Sequence, residues 1–261
     1  DLCREDPDKQ DPGVCGCWRS NVDEDGDGQF DCLVDDFNVP DDFPTLQAAV
    51  DAAVPDAIIT VAAGVWPVNG SIDPLGKRIT IRGTRDSTGR IATILVSSTG
   101  KRIFHCTQGI EETTTFADLR LEGADSEVGG GVTTFNSSPV FRDCEFVGNK
   151  AYRGGAVRVM GNVGGPRFEG CLFLGNEGVN YGGVIYMRMS SIATFIDCTF
   201  SMNRAGDSGN LALNLSTEPI RFENSVVCGS GEDPIQGPVQ IEGGCTAGGC
   251  LDTNGDGSID D

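Results

Sequence analysis

Histidine and long apolar runs are scarce in this chain of 261 residues. His105 is the only histidine, and no Ser/His/Asp arrangement is apparent around it, so the sequence offers no triad of that kind. No apolar run approaches the roughly 20 residues that a membrane-spanning helix needs. The sequence therefore predicts no membrane span and gives no evident sign of an enzyme.

Basic residues are also few. Lys and Arg total 19 against 39 Asp and Glu, which gives a formal net charge of -20 at pH 7. A surface this acidic repels phosphate backbones and anionic lipid, so nucleic acid is a poor partner. Carboxylates in such number suit divalent cations instead.

The eleven cysteines of the chain cluster largely at its two ends. The terminal groups are Cys3, Cys15, Cys17 and Cys32 on one side, and Cys228, Cys245 and Cys250 on the other. In the first group disulfides are favoured, with a zinc site as the alternative. In the second group a small Cys245–Cys250 loop competes with pairing to Cys228. Such cysteine usage predicts an oxidising compartment, and hence an extracellular or cell-surface location.

Composition divides the chain into three regions. Residues 1–39 and 241–261 are rich in Asp, Gly and Cys, whereas 40–240 alternates short β-branched stretches with Gly and Asn turns. Apolar residues at 43, 46, 49, 50 and 53 predict one short amphipathic helix at the start of the middle region. Strands are predicted at 58–61, 79–81 and 91–96. One helix followed only by strands indicates a cap over the open end of a strand stack.

An internal repeat is the strongest signal in the sequence. Its copies share the pattern Phe, Cys, Phe, Asn and are Phe141/Cys144/Phe146/Asn149, Phe168/Cys171/Phe173/Asn176 and Phe195/Cys198/Phe200/Asn203, with a weaker fourth copy from Phe222. Successive copies are 27 residues apart. Glycine pairs such as Gly154-Gly155 and Gly182-Gly183 separate them.

This period without helical spacing predicts one coil of three short strands per repeat. Cys and the second Phe have the same parity in a strand, so both point inward. Stacked coils then place Phe on Phe and Cys on Cys, about 4.8 Å apart along the stack. The three cysteines are expected to be buried thiols rather than bridges, and the asparagines to hydrogen-bond along one corner.

The Phe-x-x-Asn and Gly-Gly-Ala/Val motifs resemble the repeats of polymorphic outer membrane proteins and the wider right-handed parallel β-helix family of bacterial surface proteins. Residues 40–66 look like the capping helix and first coil of that family. The resemblance covers about 40–240 and implies an all-β, right-handed parallel β-helix with an N-terminal capping helix. It leaves function open, because this solenoid carries lyases, hydrolases, adhesins and passive stalks.

Two Asp-x-Asp-x-Asp-Gly-like loops predict Ca²⁺ as the cofactor, because alternating oxygens can wrap the ion and the glycine permits the bend. The proposed ligands are Asp23, Asp25, Asp27 and Asp31 in the first loop, and Asp252, Asn254, Asp256 and Asp260 in the second. The twelfth-position Glu of an EF-hand is absent; Val34 stands there in the first loop. The loops instead resemble thrombospondin type 3 repeats, and the second also half a dockerin.

The two ends of the chain suggest a partner. In thrombospondin type 3-like sequences a calcium loop runs on into Asp-Leu-Cys, and this chain starts with Asp1-Leu2-Cys3 and ends in a calcium loop. Two interpretations stay open: the chain is a unit excised from a tandem array, or copies meet head to tail around Ca²⁺ and form a fibre. Coincidence between common Asp-rich motifs is the alternative to both.

Two functions remain open at this point. The first is an extracellular structural or adhesive rod stabilised by calcium. The second is a polysaccharide-binding protein, or a polysaccharide lyase or hydrolase, of the pectate-lyase-like class. Residues that would serve it are Asp143 and Asp197 as carboxylates, Arg153, Arg158 and Arg188 on a nearby face, and Trp66, Tyr152, Tyr181 and Tyr186 as stacking platforms. Turn and packing roles are the alternatives for all of these residues.

Overall fold

The computed structural model describes residues 36–107, 114–161, 164–207, 211–228 and 235–242. Its elements up to residue 128 are, in chain order, β1 (Asp36–Val39), α1 (Leu46–Ala52), β2 (Ile58–Val61), β3 (Gly64–Val68), β4 (Ile79–Arg82), β5 (Thr93–Ser97), β6 (Phe104–Cys106), β7 (Thr114–Ala117), β8 (Arg120–Glu122) and β9 (Asp125–Val128).

The later elements are all strands. They are β10 (Val132–Phe135), β11 (Val140–Arg142), β12 (Glu145–Val147), β13 (Lys150–Arg153), β14 (Val157–Gly161), β15 (Arg167–Glu169), β16 (Leu172–Leu174), β17 (Glu177–Tyr181), β18 (Ile185–Met189), β19 (Ala193–Ile196), β20 (Thr199–Ser201), β21 (Arg204–Ala205), β22 (Ala212–Ser216), β23 (Ile220–Glu223), β24 (Val226–Cys228), β25 (Ile235–Gln236) and β26 (Val239–Glu242).

These strands form four parallel sheets, each strand pairing with the equivalent strand one coil away. Sheet A contains β1, β2, β4, β7, β11, β15, β19, β23 and β26, and sheet B contains β3, β5, β8, β12, β16, β20 and β24. Sheet C contains β9, β13, β17 and β21, and sheet D contains β6, β10, β14, β18, β22 and β25. The chain is therefore an all-β, right-handed parallel β-helix, which confirms the predicted fold class.

The number of strands per repeat differs from the expected three. A central coil contains four, for example β11, β12, β13 and β14. Residues 150–153 are extended and form the additional strand of sheet C. The Gly154-Gly155 pair then turns the chain into sheet D. Gly154 has φ 69°, and a Cβ there would lie 2.2 Å from the Val157 carbonyl oxygen, so only glycine fits this corner.

The predicted phenylalanine columns are confirmed. Phe141, Phe168 and Phe195 pair in register and are fully buried. Their ring centroids are 5.1 and 4.8 Å apart, and the ring planes lie within 13° of parallel. A second column contains Phe146 and Phe173, whose rings meet the first column edge to face. Stacked and edge-on ring contacts together fill the centre of the tube.

An asparagine column runs along the corner between sheets B and C. Asn149, Asn176 and Asn203 are at most 1% exposed. The Asn176 side-chain amide donates to the Phe146 carbonyl at 2.9 Å and to the Asn203 Oδ1 at 2.9 Å. Its own Oδ1 accepts from the Asn149 backbone N–H at 3.1 Å. Each asparagine thus satisfies backbone groups that the turn leaves unpaired.

The cysteine column behaves as predicted. Cys144, Cys171 and Cys198 are buried free thiols. Each Sγ donates to a carbonyl of the preceding coil; for Cys171 the acceptor is Phe141, at 3.4 Å. Burial raises the pKa of the Cys171 thiol well above its ordinary value, so this thiol stays protonated. All three cysteines pack as small, largely apolar groups. Ser225 occupies the next position, and its hydroxyl donates in the same way to the Phe195 carbonyl at 3.5 Å.

The helix covers the first coil. Thr45 caps it by accepting from the Ala48 backbone N–H at 3.2 Å, while Leu46, Ala49 and Val50 are buried. β1 pairs in parallel with β2, so the solenoid already includes residues 36–39. Within the described residues no helix is long and apolar enough to cross a membrane.

Removing one ring from the middle of the stack is expected to be costly. Phe168→Ala should lower the free energy of unfolding by about 4 kcal/mol, because it opens a cavity that touches four neighbouring rings. Phe168→Leu should cost about 1.5 kcal/mol because most of the volume is kept. Denaturant unfolding followed by circular dichroism measures both, and equal losses would show that the column is not tightly packed.

The asparagine column gives a second test. Asn176→Ala should destabilise by about 3 kcal/mol, since it leaves buried groups of two neighbouring coils without partners. Thr199→Ala on the outer side of β20 is the matched control and should change stability by less than about 0.5 kcal/mol. Thermal unfolding measures the stability of both variants. If Asn176→Ala loses no more stability than Thr199→Ala, the column has no structural role.

Candidate functional site

The predicted calcium ligands cannot be placed. Asp23, Asp25, Asp27, Asp31, Asp252, Asn254, Asp256 and Asp260 all lie outside the described residues. The terminal cysteines 3, 15, 17, 32, 245 and 250 also lie outside them. The calcium loops, their ligands and the disulfides therefore stay predictions. Within the described ranges no three His, Cys, Asp or Glu side chains cluster as a metal site would require.

The two candidate carboxylates lie at the corner between sheets A and B. Asp143 and Asp197 follow β11 and β19 and have φ of 50° and 52°. Gly170 stands at the equivalent position with φ 61°, so this position selects residues that tolerate a left-handed turn. The Asp143 side chain is 63% exposed and lies 4.0 Å from Arg85. The structure thus places these carboxylates as turn residues, on a different corner from the three arginines.

The predicted arginines and tyrosines do come together, at the corner between sheets C and D. We call this surface the Arg/Tyr face and define it as Tyr152, Arg153, Arg158, Tyr181, Tyr186 and Arg188. In register, Arg153 pairs with Tyr181 across sheet C, and Arg158 pairs with Tyr186 across sheet D. All three tyrosines of the chain lie here.

Arg153 is the centre of the face. Its guanidinium carbon lies 5.5, 5.9 and 5.7 Å from the ring centroids of Tyr152, Tyr181 and Tyr186. Cation–π attraction at these distances holds the guanidinium among the rings. Tyr186 is only 3% exposed and forms the floor, whereas Tyr152 is 44% exposed and presents its ring to solvent. The Asn180 side chain donates to the Tyr152 hydroxyl at 2.9 Å and orients that ring.

The arginines of the face lack acidic partners among the residues that the structure describes, although the chain carries 39 acidic residues. Several arginines elsewhere are paired, for example Arg142 with Glu169 at 2.7 Å and Arg204 with Glu177 at 2.7 Å. In contrast, the Nε atoms of Arg153 and Arg158 are buried and have no hydrogen-bond partner in the described part of the chain. Burial, followed by the neighbouring Arg102 charge, lowers the pKa of Arg158. Arg153 and Arg158 thus form a partly desolvated positive patch, next to the exposed Arg188, on an acidic protein.

An open cavity of about 440 Å³ adjoins this patch. Its lining consists of Arg153, Tyr181, Tyr186, Arg188, Leu213, Leu215 and Gln236. The guanidinium groups can donate paired hydrogen bonds to a carboxylate, and the rings and leucines offer apolar surface to the body of the same ligand. These groups have the chemistry to hold an anionic ligand, and among the described residues that line the cavity there is no carboxylate or histidine for proton transfer.

Sequence reasoning named the arginines and tyrosines but missed Leu213, Leu215 and Gln236. A signal for them was present in the strand register. Tyr186 pairs with Leu213, which pairs with Gln236, and Arg188 pairs with Leu215. When the strand register is followed for the outward-facing residues as well as for the core, these three positions become neighbours on one face.

Trp66 lies elsewhere. It stands on β3 at the N-terminal end, where its indole N–H donates to the Ala62 carbonyl at 2.8 Å. It lines a second cavity of about 440 Å³ between α1 and the first coils. Its half-buried ring packs against the core. Trp66 therefore has a packing role and is not a stacking platform for a sugar.

The fold and site define the class of protein as a parallel β-helix with a basic aromatic face. No protein-family model matches the sequence, and no curated protein matches it. Among solved structures, the crystal structure of a pectin methylesterase from Aspergillus niger, in a partly deglycosylated form, is similar over 84% of this chain and 92% of that one. The TM-score is 0.37 and the sequence identity 11%, so this likeness assigns no activity to the present chain.

Proposed function

We propose that the protein is an extracellular β-helical rod that binds an acidic polysaccharide on its Arg/Tyr face. The observation that carries this proposal is the cluster of arginines packed against tyrosine rings without acidic partners in the described chain. A guanidinium group that is desolvated and unpaired gains most from a ligand carboxylate. The binding module is one of the alternatives that the sequence left open.

The aromatic rings favour a sugar over a simple anion. The Tyr152 ring is exposed to solvent on this face, and Tyr181 lines the adjoining cavity. Sugar rings have apolar faces that pack on aromatic planes, while their hydroxyl groups meet polar neighbours such as Gln236. A carboxylated sugar satisfies both halves of the site.

The overall charge of -20 opposes polyanions at long range. At physiological ionic strength charges are screened over about 8 Å, so the local arginines dominate once a ligand touches the face. DNA carries one negative charge per about 1.7 Å of duplex, and the surrounding acidic surface repels such dense charge most. A uronate polymer, with at most one carboxylate per sugar, suits the small positive patch better.

A mechanical role is the second candidate. The phenylalanine columns and the asparagine ladder run continuously through the central coils, and such columns resist bending. We propose that Ca²⁺ at Asp23, Asp25, Asp27 and Asp31, and at Asp252, Asn254, Asp256 and Asp260, stiffens the terminal segments of this rod. This proposal includes head-to-tail assembly of copies of the chain through their terminal segments.

Substitution in the cavity tests the binding proposal. Arg188→Gln should weaken binding of a uronate oligosaccharide by roughly tenfold, because one charge-assisted hydrogen bond is lost. Arg142→Gln, an ion-paired arginine on sheet A, is the matched control and should leave affinity unchanged. Isothermal titration calorimetry measures both, with a neutral glucan as the reference ligand.

Three results would count against this function. Equal losses in the two variants would make the effect non-specific, and equal binding of the neutral glucan would remove the role of charge. Release of shortened products from the uronate polymer would favour the lyase or hydrolase alternative instead.

Chelation tests the calcium proposal. Removal of calcium with EDTA should expose the terminal segments to limited proteolysis, because their small apolar content cannot hold them without the ion. Residues 36–242 should stay folded, since their core columns do not include the predicted ligands. Restoring excess Ca²⁺ is the control and should restore protection. Cooperative unfolding of the whole chain by EDTA would contradict this division.

A further inference from the structure

A second group of basic side chains lies on sheet D, closer to the N-terminal end. His105 stands on β6, and the register places Thr133 on β10 between it and Arg158 on β14. The three side chains form one outward column. β6 and β14 are two strand steps apart, or about 10 Å. Arg102 precedes β6 by two residues, and its charge acts on both His105 and Arg158.

Electrostatics shows that these groups act on one another. Burial lowers the pKa of Arg102, and burial followed by Arg102 lowers the pKa of Arg158. Burial, with smaller effects from Arg102 and Arg158, also lowers the pKa of His105. Three groups that could carry positive charge are thus held together, half-buried, where they repel one another.

Acidic groups nearby do not neutralise this cluster. Asp73 is the carboxylate that favours His105 protonation, and Glu127 on β9 is the one that favours the charge of Arg102. Neither forms an ion pair with the cluster among the described residues. On the far side, Arg158 faces Arg153, Tyr186 and Arg188 of the Arg/Tyr face. Electrostatic interactions therefore connect Arg102, through Arg158, with the arginines of the Arg/Tyr face.

We propose that Arg102, His105 and Arg158 form a second anion-binding subsite, which holds another carboxylate of the same acidic polysaccharide. This inference rests on the proposed function, because the ligand is the polymer that the Arg/Tyr face binds. It adds a length requirement. Only an oligosaccharide that reaches from the cavity across the intervening coils occupies both subsites at once.

Occupancy of this subsite is coupled to protonation of His105. A carboxylate between the two arginines offsets their repulsion and attracts the imidazolium proton, so it raises the pKa of His105. Binding of a long oligosaccharide therefore takes up a proton. By linkage, its affinity increases as the pH falls through the interval between the His105 pKa of the free protein and that of the complex.

The single histidine makes the test direct. The imidazole resonances of His105 are followed by NMR over pH 4.5–8, an interval chosen around the ordinary histidine range of about 6.5, with and without uronate oligosaccharides of defined length. An octamer should move the His105 titration to higher pH, whereas a dimer, which is too short to reach it from the cavity, should not. Arg102→Gln should weaken octamer binding by roughly tenfold and leave dimer binding unchanged.

His105→Gln should remove most of the pH dependence of octamer affinity between pH 5 and 7 without affecting the fold, with Arg142→Gln again as the control. Octamer binding with an unmoved His105 titration and no effect of Arg102→Gln would overturn the second subsite and leave the Arg/Tyr face intact. Failure of the wild-type protein to bind any uronate would remove the proposed function and this subsite with it.

Discussion

Backbone hydrogen bonds between successive coils hold each strand of this protein in fixed register with the strand one coil away. Because the spacing is set by the sheet, equivalent side chains must stack on one another, inside and outside the tube. Inside, this constraint puts Phe168 between Phe141 and Phe195. Outside, it puts Tyr186 beside Arg158 and Leu215 beside Arg188. The core and the Arg/Tyr face thus follow from one interaction.

The Arg/Tyr face is costly for the folded protein, and this cost is the main reason to regard it as functional. Half-buried guanidinium groups without acidic partners in the described chain lose hydration and gain no ion pair. Several arginines elsewhere on the same solenoid are neutralised, as Arg204 is by Glu177. Violations of the usual pairing rules tend to mark functional sites. A ligand carboxylate would restore the missing partner.

Rigidity connects the core with the proposed binding role. The side chains of the face stand on strands that are hydrogen-bonded on both sides, and Arg153 is held among three rings. A site arranged in this way loses little entropy when it binds. The mechanical and binding hypotheses are therefore compatible, since the stiffness that suits a rod also keeps an extended surface ready for a polymer.

The sequence alone determined the solenoid, its period of 27 and the inward columns, because a repeat read along one chain reports directly on strand parity and stacking. It also placed the three arginines on one face and named the tyrosines, but it did not bring the two sets together. It expected three strands per coil where residues 150–153 form a fourth. Only the tertiary structure separated Asp143 and Asp197 from those arginines and brought Leu213 and Leu215 beside the Arg/Tyr face. The physical reason is that the repeat period predicts which residues stack on one another in successive coils. It does not predict where each coil turns. The turns depend on residues with a left-handed backbone, such as Gly154, and they decide which sheet each side chain belongs to.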